Sequence, residues 1–178
     1  KFGIDEDEPV VIALEGGRLS LRGAIDRVDQ DLHGLHVIDY KTGKADDYGA
    51  EVFGGGRHLQ HAIYAKVAEE RLGVEVVDGQ YHFPTRKGQN QRVVYDRDEM
   101  SRLEDLLELL LDGVVRGHFV PTNDPEDCKY CDFSDICRAR SGKYGKVSSP
   151  LATWAKEHTG DVVSPEFEQF QKVRSFEK

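Results

Sequence analysis

The sequence predicts an α/β protein in which a central mixed β-sheet is flanked by helices, followed by a cysteine-rich loop and short C-terminal helices. Three observations point there. Short apolar runs at Val10 to Leu14, Leu19 to Val28, Leu35 to Lys41, Val74 to Phe83 and Arg92 to Tyr95 have the length and content of strands. Two segments, Arg57 to Leu72 and Asp96 to Gly117, repeat their apolar residues at helical spacing. The three cysteines of the chain fall together at Cys128, Cys131 and Cys137.

Composition sets the class. The 178 residues suffice for one ordinary domain with a core and an appendage, and 38% hydrophobic with 32% charged residues describe a soluble globular chain. No apolar run approaches the roughly 20 residues of a membrane-spanning helix, and nothing at the start reads as a signal peptide, so a cytoplasmic protein without a membrane partner is expected. The chain opens at Lys1 and runs into Asp5-Glu6-Asp7-Glu8, as expected of a piece of something longer. A net charge of -9 argues against holding nucleic acid by bulk electrostatics. Local basic tracks remain at Arg138, Arg140, Lys143 and Lys146, and at Arg86, Lys87 and Arg92.

Taken in order, Glu15-Gly16-Gly17-Arg18 supplies the turn between the first two strands, and Asp31, His33 and Gly34 the turn before the third. Residues 45–56 show no period and end in Gly54-Gly55-Gly56, a flexible lead into a helix; no Gly-Lys-Ser/Thr follows, so a phosphate loop is not indicated. Leu59, Ile63, Val67 and Ala68 mark the helix Arg57 to Leu72, with Gly73 at the capping position. Pro84 ends the fourth strand, and the turn at Arg86-Lys87-Gly88 leads to the fifth. Asp96 and Glu99 form a capping box for a helix whose stripe of Leu103, Leu106, Leu107, Leu110, Leu111 and Val114 is core packing. Pro121 to Pro125 is a loop, and Ser149-Pro150 and Ser164-Pro165 start short helices at Leu151 to His158 and Glu166 to Phe176. Trp154, Phe167, Phe170 and Phe176 imply that these dock on something.

Chemistry concentrates between Gly23 and Gly43. Alternation along a strand puts Asp39 and Lys41 on one face and Tyr40 on the other. Paired as a hairpin, the segments Gly23 to Asp29 and Leu35 to Gly43 bring Asp26 onto the face of Asp39, two carboxylates and an ammonium suited to a divalent cation and a polarised phosphate. Asp26, twelve residues of strand and turn, then Asp39-Tyr40-Lys41, within Gly-Ala-Ile-Asp-Arg-Val-Asp and Ile-Asp-Tyr-Lys-Thr-Gly, resembles the signature of the PD-(D/E)XK nucleases, in particular their RecB-like branch. Gln60 and Tyr64, four residues apart on one helix face, are similar to that branch's third motif; without the resemblance they read as a surface glutamine and a half-buried core tyrosine.

The resemblance implies a restriction-endonuclease-like core and metal-dependent cleavage of DNA. Asp26, Asp39 and the Tyr40 carbonyl would hold Mg²⁺ or Mn²⁺, Lys41 would orient water or offset developing charge, and Gln60 and Tyr64 would place the scissile strand. In a reducing compartment the spacing C-x2-C-x5-C favours metal over disulfide. Zinc, with His118 as a fourth ligand, is one reading. The AddB-type nucleases resembled here imply another, in which Cys128, Cys131 and Cys137 join an upstream cysteine around a 4Fe-4S cluster, with Arg138, Arg140, Lys143 and Lys146 beside it towards DNA. The expected domains are a nuclease unit over residues 1–146, lacking the helix that usually precedes the first strand, and a helical tail over 147–178. The expected function is a deoxyribonuclease, an exonuclease on single-stranded or end-processed DNA in repair or recombination, joined to a helicase. The alternatives are a catalytically silent DNA-binding or structural module of such a complex and an iron–sulfur redox protein.

Overall fold

The computed structural model describes residues 1–5, 7–120, 131–133 and 165–177. The chain divides into two compact units, Lys1–Asp112 with Gln171–Lys178, and Gly113–Phe170. Its elements are β1 (Val10–Leu14), β2 (Gly17–Leu21), β3 (Arg27–Gln30), β4 (Leu35–Tyr40), α1 (Gln60–Leu72), β5 (Val76–Phe83), β6 (Gln91–Asp96), α2 (Arg97–Met100), α3 (Leu103–Arg116) and α4 (Pro165–Arg174). β1 and β2 form an antiparallel hairpin, and the other strands a mixed sheet ordered β3-β4-β5-β6. β4 pairs antiparallel with β3 and parallel with β5. The parallel pair needs a crossover, which the stretch from Lys41 through α1 supplies. This is the expected mixed α/β architecture, a four-stranded sheet flanked by helices.

The core lies on one face of this sheet. Val37, Tyr81, Phe83 and Tyr95 point into it, and α1 covers them with Ala62, Ala65 and Ala68, small side chains that let the helix sit close. The approach is closest at Gly79 on β5, where a Cβ would stand 3.0 Å from the His61 carbonyl oxygen and 2.9 Å from the Met100 sulfur. Leu103, Leu106 and Leu107 of α3 complete the cluster. The predicted apolar stripe fades after them: Leu110 and Leu111 are half-buried and Val114 is 58% exposed.

Two predicted elements divide. The run Leu19 to Val28 is not one strand, because Phe2 forms a bridge to Gly23 (Phe2 N to Gly23 O, 2.9 Å; Gly23 N to Phe2 O, 2.8 Å) and draws the chain out of the β1–β2 hairpin before β3 begins. The Phe2 ring lies where a Gly23 side chain would be, 2.9 Å from an added Cβ. The helix expected from Asp96 onward keeps its capping box, Glu99 N to Asp96 Oδ1 at 2.9 Å and Asp96 N to Glu99 Oε2 at 2.8 Å, but breaks after one turn. There the Ser101 hydroxyl donates to the Asp98 carbonyl at 2.6 Å, local competition typical of serine. The first helix starts at Gln60 rather than Arg57, since the amides of Arg57 and His58 both turn back to the Phe53 carbonyl. Gly73 caps it in the left-handed conformation as expected, with φ 65°. Pro84 has no N–H for a further rung, and β5 stops at Phe83.

The glycines before α1 serve close approach rather than flexibility. A Cβ on Gly55 would stand 3.1 Å from the Arg174 carbonyl oxygen, and one on Gly56 2.8 Å from Val173 Cγ1. Phe53 N donates to both Glu177 carboxylate oxygens, at 2.9 and 3.0 Å, and the Arg102 guanidinium lies 4.2 Å from the centre of the Phe176 ring. Residues 173–177 thus fasten the loop that sets the start of α1. In the second unit, His118 Nδ1 and Gln169 Oε1 share a hydrogen bond and the rings of Phe167 and Phe170 stack at 6.2 Å. α4 opens with Pro165 at its first position, as predicted. The loop 121–125, the helix expected at 151–158 and Trp154 lie outside the described residues.

At the far end of β4, His36 is held between two carboxylates, Nδ1 2.7 Å from Asp78 Oδ2 and Nε2 3.2 Å from Asp31 Oδ2. The hydrogen bond to Asp78 is the main cause of its pKa being raised from the ordinary 6.5. Because the folded value lies above the unfolded one, His36 contributes its full stabilisation below about pH 6.5 and loses it as pH rises through the folded value. The difference in urea midpoint between wild type and His36→Gln should therefore shrink from pH 5.5 to pH 8.5. A second expectation concerns Gly56, at φ +84° against Val173. Gly56→Ala should cost about 1–3 kcal/mol in urea unfolding.

Candidate active site

The residues that carry chemistry meet where β4 ends and α1 begins. The β3–β4 pairing ends at Arg27↔Ile38, and Asp26 lies just before it, beside the end of β4. The Asp26 side chain anchors this end of the hairpin, accepting the Tyr40 N–H at 2.9 Å through Oδ2. Asp26 is exposed and Asp39 is only 4% exposed. Lys41 continues the parallel ladder with its N–H to the His82 carbonyl at 2.8 Å, which sends its side chain to the Asp39 face.

A connected set of polar groups results. The Lys41 ammonium stands 2.6 Å from Asp39 Oδ2 and donates to Gln60 Oε1 at 2.5 Å. Gln60 Nε2 donates to the Tyr64 hydroxyl at 3.3 Å, one helical turn on. The structure therefore joins Asp39, Lys41, Gln60 and Tyr64 in sequence and links Asp26 to the backbone between the first two. The contact from Lys41 to Asp39 is ionic without hydrogen-bond alignment, so Asp39 Oδ2 is buried with no hydrogen-bond partner. A buried carboxylate oxygen without a hydrogen bond is a donor of the kind that hard divalent cations take, and Asp26 supplies a second carboxylate at the Tyr40 backbone. Among the described residues no three His, Cys, Asp or Glu side chains are placed to hold an ion.

Sequence reasoning missed what lies under the lysine. Tyr81, paired with Asp39 across β4 and β5, presents its ring 5.4 Å below the Lys41 ammonium, a cation–π contact. Its hydroxyl lies 3.0 Å from His61 Nδ1. His61 is fully buried, packed 4.4 Å from the Tyr95 ring, and burial depresses its pKa to about 3, so it is neutral at physiological pH. Burial likewise raises the Tyr81 phenol. Tyr48 and His58 pack edge-on at 4.2 Å beside this group, His58 with its pKa lowered by burial. An aromatic residue one strand over, with a histidine in the first turn of the helix, forms a floor for the ion pair. The signal available was Tyr81 in the strand that had to neighbour Asp39.

Residues 2–138 match the PD-(D/E)XK nuclease superfamily. The chain belongs to that superfamily. It is 30% identical over 131 residues to the Gene 69 protein of Mycobacterium phage D29, covering 71% of this chain and 45% of the phage protein. It thus spans less than half the length of that relative. No solved structure matches it. The four-stranded mixed sheet with its flanking helices is consistent with the restriction-endonuclease-like fold of PD-(D/E)XK proteins.

Of the other candidate residues, Cys131 is half-buried with a free thiol. Cys128, Cys137, Arg138, Arg140, Lys143 and Lys146 lie outside the described residues. His118, considered as a zinc ligand, bonds through Nδ1 to Gln169.

Tyr81→Phe removes the hydroxyl that His61 Nδ1 meets and leaves a buried ring nitrogen without a partner, while His61 Nε2 already has none. The variant should lose about 1–3 kcal/mol of stability in chemical denaturation.

Proposed function

We propose that this PD-(D/E)XK protein is a divalent-metal-dependent deoxyribonuclease whose site is built from Asp26, Asp39, Lys41, Gln60 and Tyr64. The observation that supports it best is Asp39 Oδ2: a buried carboxylate oxygen met by the Lys41 ammonium but by no hydrogen bond, with Asp26 bonded to the next backbone N–H, that of Tyr40. Asp26, Asp39 and the Tyr40 carbonyl, all oxygen donors, would hold Mg²⁺ or Mn²⁺. When bound, such an ion neutralises charge on the phosphate and makes water a better nucleophile.

The chain's own residues do the rest. Lys41, held by Asp39 on one side and Gln60 on the other, presents its ammonium to the negative charge that develops on a phosphate oxygen. Gln60 fixes that ammonium through Oε1 and is fixed in turn by Tyr64, so α1 sets the direction of the lysine. Burial of Asp39 and the aromatic floor of Tyr81 and Tyr48 lower the local dielectric and strengthen these interactions. The RecB-like wording around Asp26 and Asp39 supports action on single-stranded or end-processed DNA in repair or recombination, beside a helicase. The spacing C-x2-C-x5-C, similar to that of AddB-type nucleases, supports a 4Fe-4S cluster on Cys128, Cys131 and Cys137 with a fourth ligand from outside this chain.

Asp39→Ala should abolish Mg²⁺-dependent cleavage of labelled single-stranded DNA while the protein keeps its circular dichroism spectrum. Lys41→Met should lower kcat by about 10² or more with the fold intact, as expected of a group that meets charge in the transition state. Full activity in Asp39→Ala would remove Asp39 from the mechanism. Wild-type protein that binds DNA but cuts none with Mg²⁺ or Mn²⁺ would identify a catalytically silent module.

A further inference from the structure

The face of the mixed sheet opposite α1 carries a second constellation. Tyr40 pairs with His82, and His82 with Arg92, so these three side chains lie in one row across β4, β5 and β6. Arg27 on β3 completes the row by donating from Nη1 to the Tyr40 hydroxyl at 3.2 Å. The Tyr40 and His82 rings sit 5.5 Å apart, tilted by 46°. Tyr40 is 39% exposed and the Arg27 side chain 50%. Arg92 is exposed, as are Arg86 and Lys87 in the turn that joins β5 to β6.

Charge is graded along this face. At the far end of the strands lie Asp29, Asp31, Asp78 and Asp96, with His36 among them. Asp29 also binds Arg27 Nε at 2.7 Å, leaving Nη1 to Tyr40. At the Tyr40 end the cations Arg27, Arg92, Arg86 and Lys87 flank two rings. On a chain of net charge -9, cations gathered around an exposed tyrosine and a half-buried histidine, whose Nε2 bonds to Asn90 Oδ1 at 2.8 Å, select a polyanion that also offers flat apolar rings. Single-stranded DNA has both properties, whereas duplex DNA keeps its base faces stacked.

The geometry points to a binding platform for single-stranded DNA on this outer face, with bases stacking on Tyr40 and His82 and phosphates meeting Arg27, Arg92 and the Arg86-Lys87 turn. Tyr40 lies between Asp39 and Lys41 in the chain but points away from them, so the platform begins where the candidate active site ends. A strand crossing the end of β4 passes from one face to the other. The choice of ligand rests on the nuclease reading above, but the test does not require cleavage.

The test is fluorescence anisotropy of 5′-labelled dT15 with intact protein in EDTA, where no hydrolysis occurs. Tyr40→Leu, His82→Ala and Arg92→Glu should each weaken binding by about fivefold or more, as loss of a stacked base or a phosphate contact does. Tyr40→Phe, which keeps the ring and loses the hydroxyl, should bind within about twofold of wild type; equal loss in Phe and Leu would overturn the stacking role. Arg92→Glu should also flatten the dependence of affinity on salt. Because EDTA removes the metal, loss of catalysis and loss of the platform are read separately. Three outcomes reject the proposal: no wild-type binding of dT15, a blunt duplex bound as tightly as dT15, or affinity untouched by all three variants. The last would mark the face as one that meets a protein.

Discussion

A carboxylate removed from water must be compensated, and Asp39 imposes that constraint on the rest of the molecule. It is buried on the central strand, where only a cation or a well-aligned set of donors can offset desolvation. Lys41 is the only cation two residues along, and the strand period puts it on the same face. Holding that ammonium in place then requires an acceptor from another element. Gln60, at the start of α1, is that acceptor, and so the entry of the helix and the end of the strand are tied to one ion pair. Removing one partner of such a pair leaves an uncompensated charge in the interior, whereas in the set together Asp39 Oδ2 is held by the Lys41 ammonium alone, with no hydrogen bond.

The helix entry must itself be placed, and backbone rather than side chains does it. The amides of Gly56, Arg57 and His58 all turn on the Phe53 carbonyl, and Phe53 is fixed through its own N–H by Glu177. Glycine at 55 and 56 admits the backbone and side chains of residues 173–174 to within contact of the loop. Contacts from residues more than a hundred positions away thus decide where Gln60 sits. The same economy of side chain recurs where α1 lies on the sheet, since Gly79 and three alanines bring His61 over Tyr81.

The two faces of the mixed sheet have different tasks because a strand alternates. Inward from β4 and β5 come Val37, Asp39, Tyr81 and Phe83, nearly all apolar, with the ion pair at their edge. Outward come His36, Ile38, Tyr40, Asp78, Gln80 and His82, mostly polar or aromatic. One register, Asp39 with Tyr81 and Tyr40 with His82, therefore fixes both the floor of the candidate site and the row of rings behind it.

Local chemistry in the sequence determined much of this. Alternation along Leu35 to Lys41 placed Asp39 and Lys41 together and Tyr40 apart; Asp96 with Glu99 and Gly73 marked helix ends; Gln60 and Tyr64 fell on one turn. Each depends on neighbours a few residues away, whose geometry the chain fixes by itself. The tertiary structure decided what depends on distant partners. Phe2 against Gly23 cut a run that reads as one strand into two, and Ser101 broke a continuous helical pattern. The glycines at 55 and 56 are flexible by composition but packed against Arg174 and Val173 in the fold. Tyr81 and His61 became the floor beneath Lys41 only through the parallel pairing of β4 with β5, a register that no short-range pattern encodes.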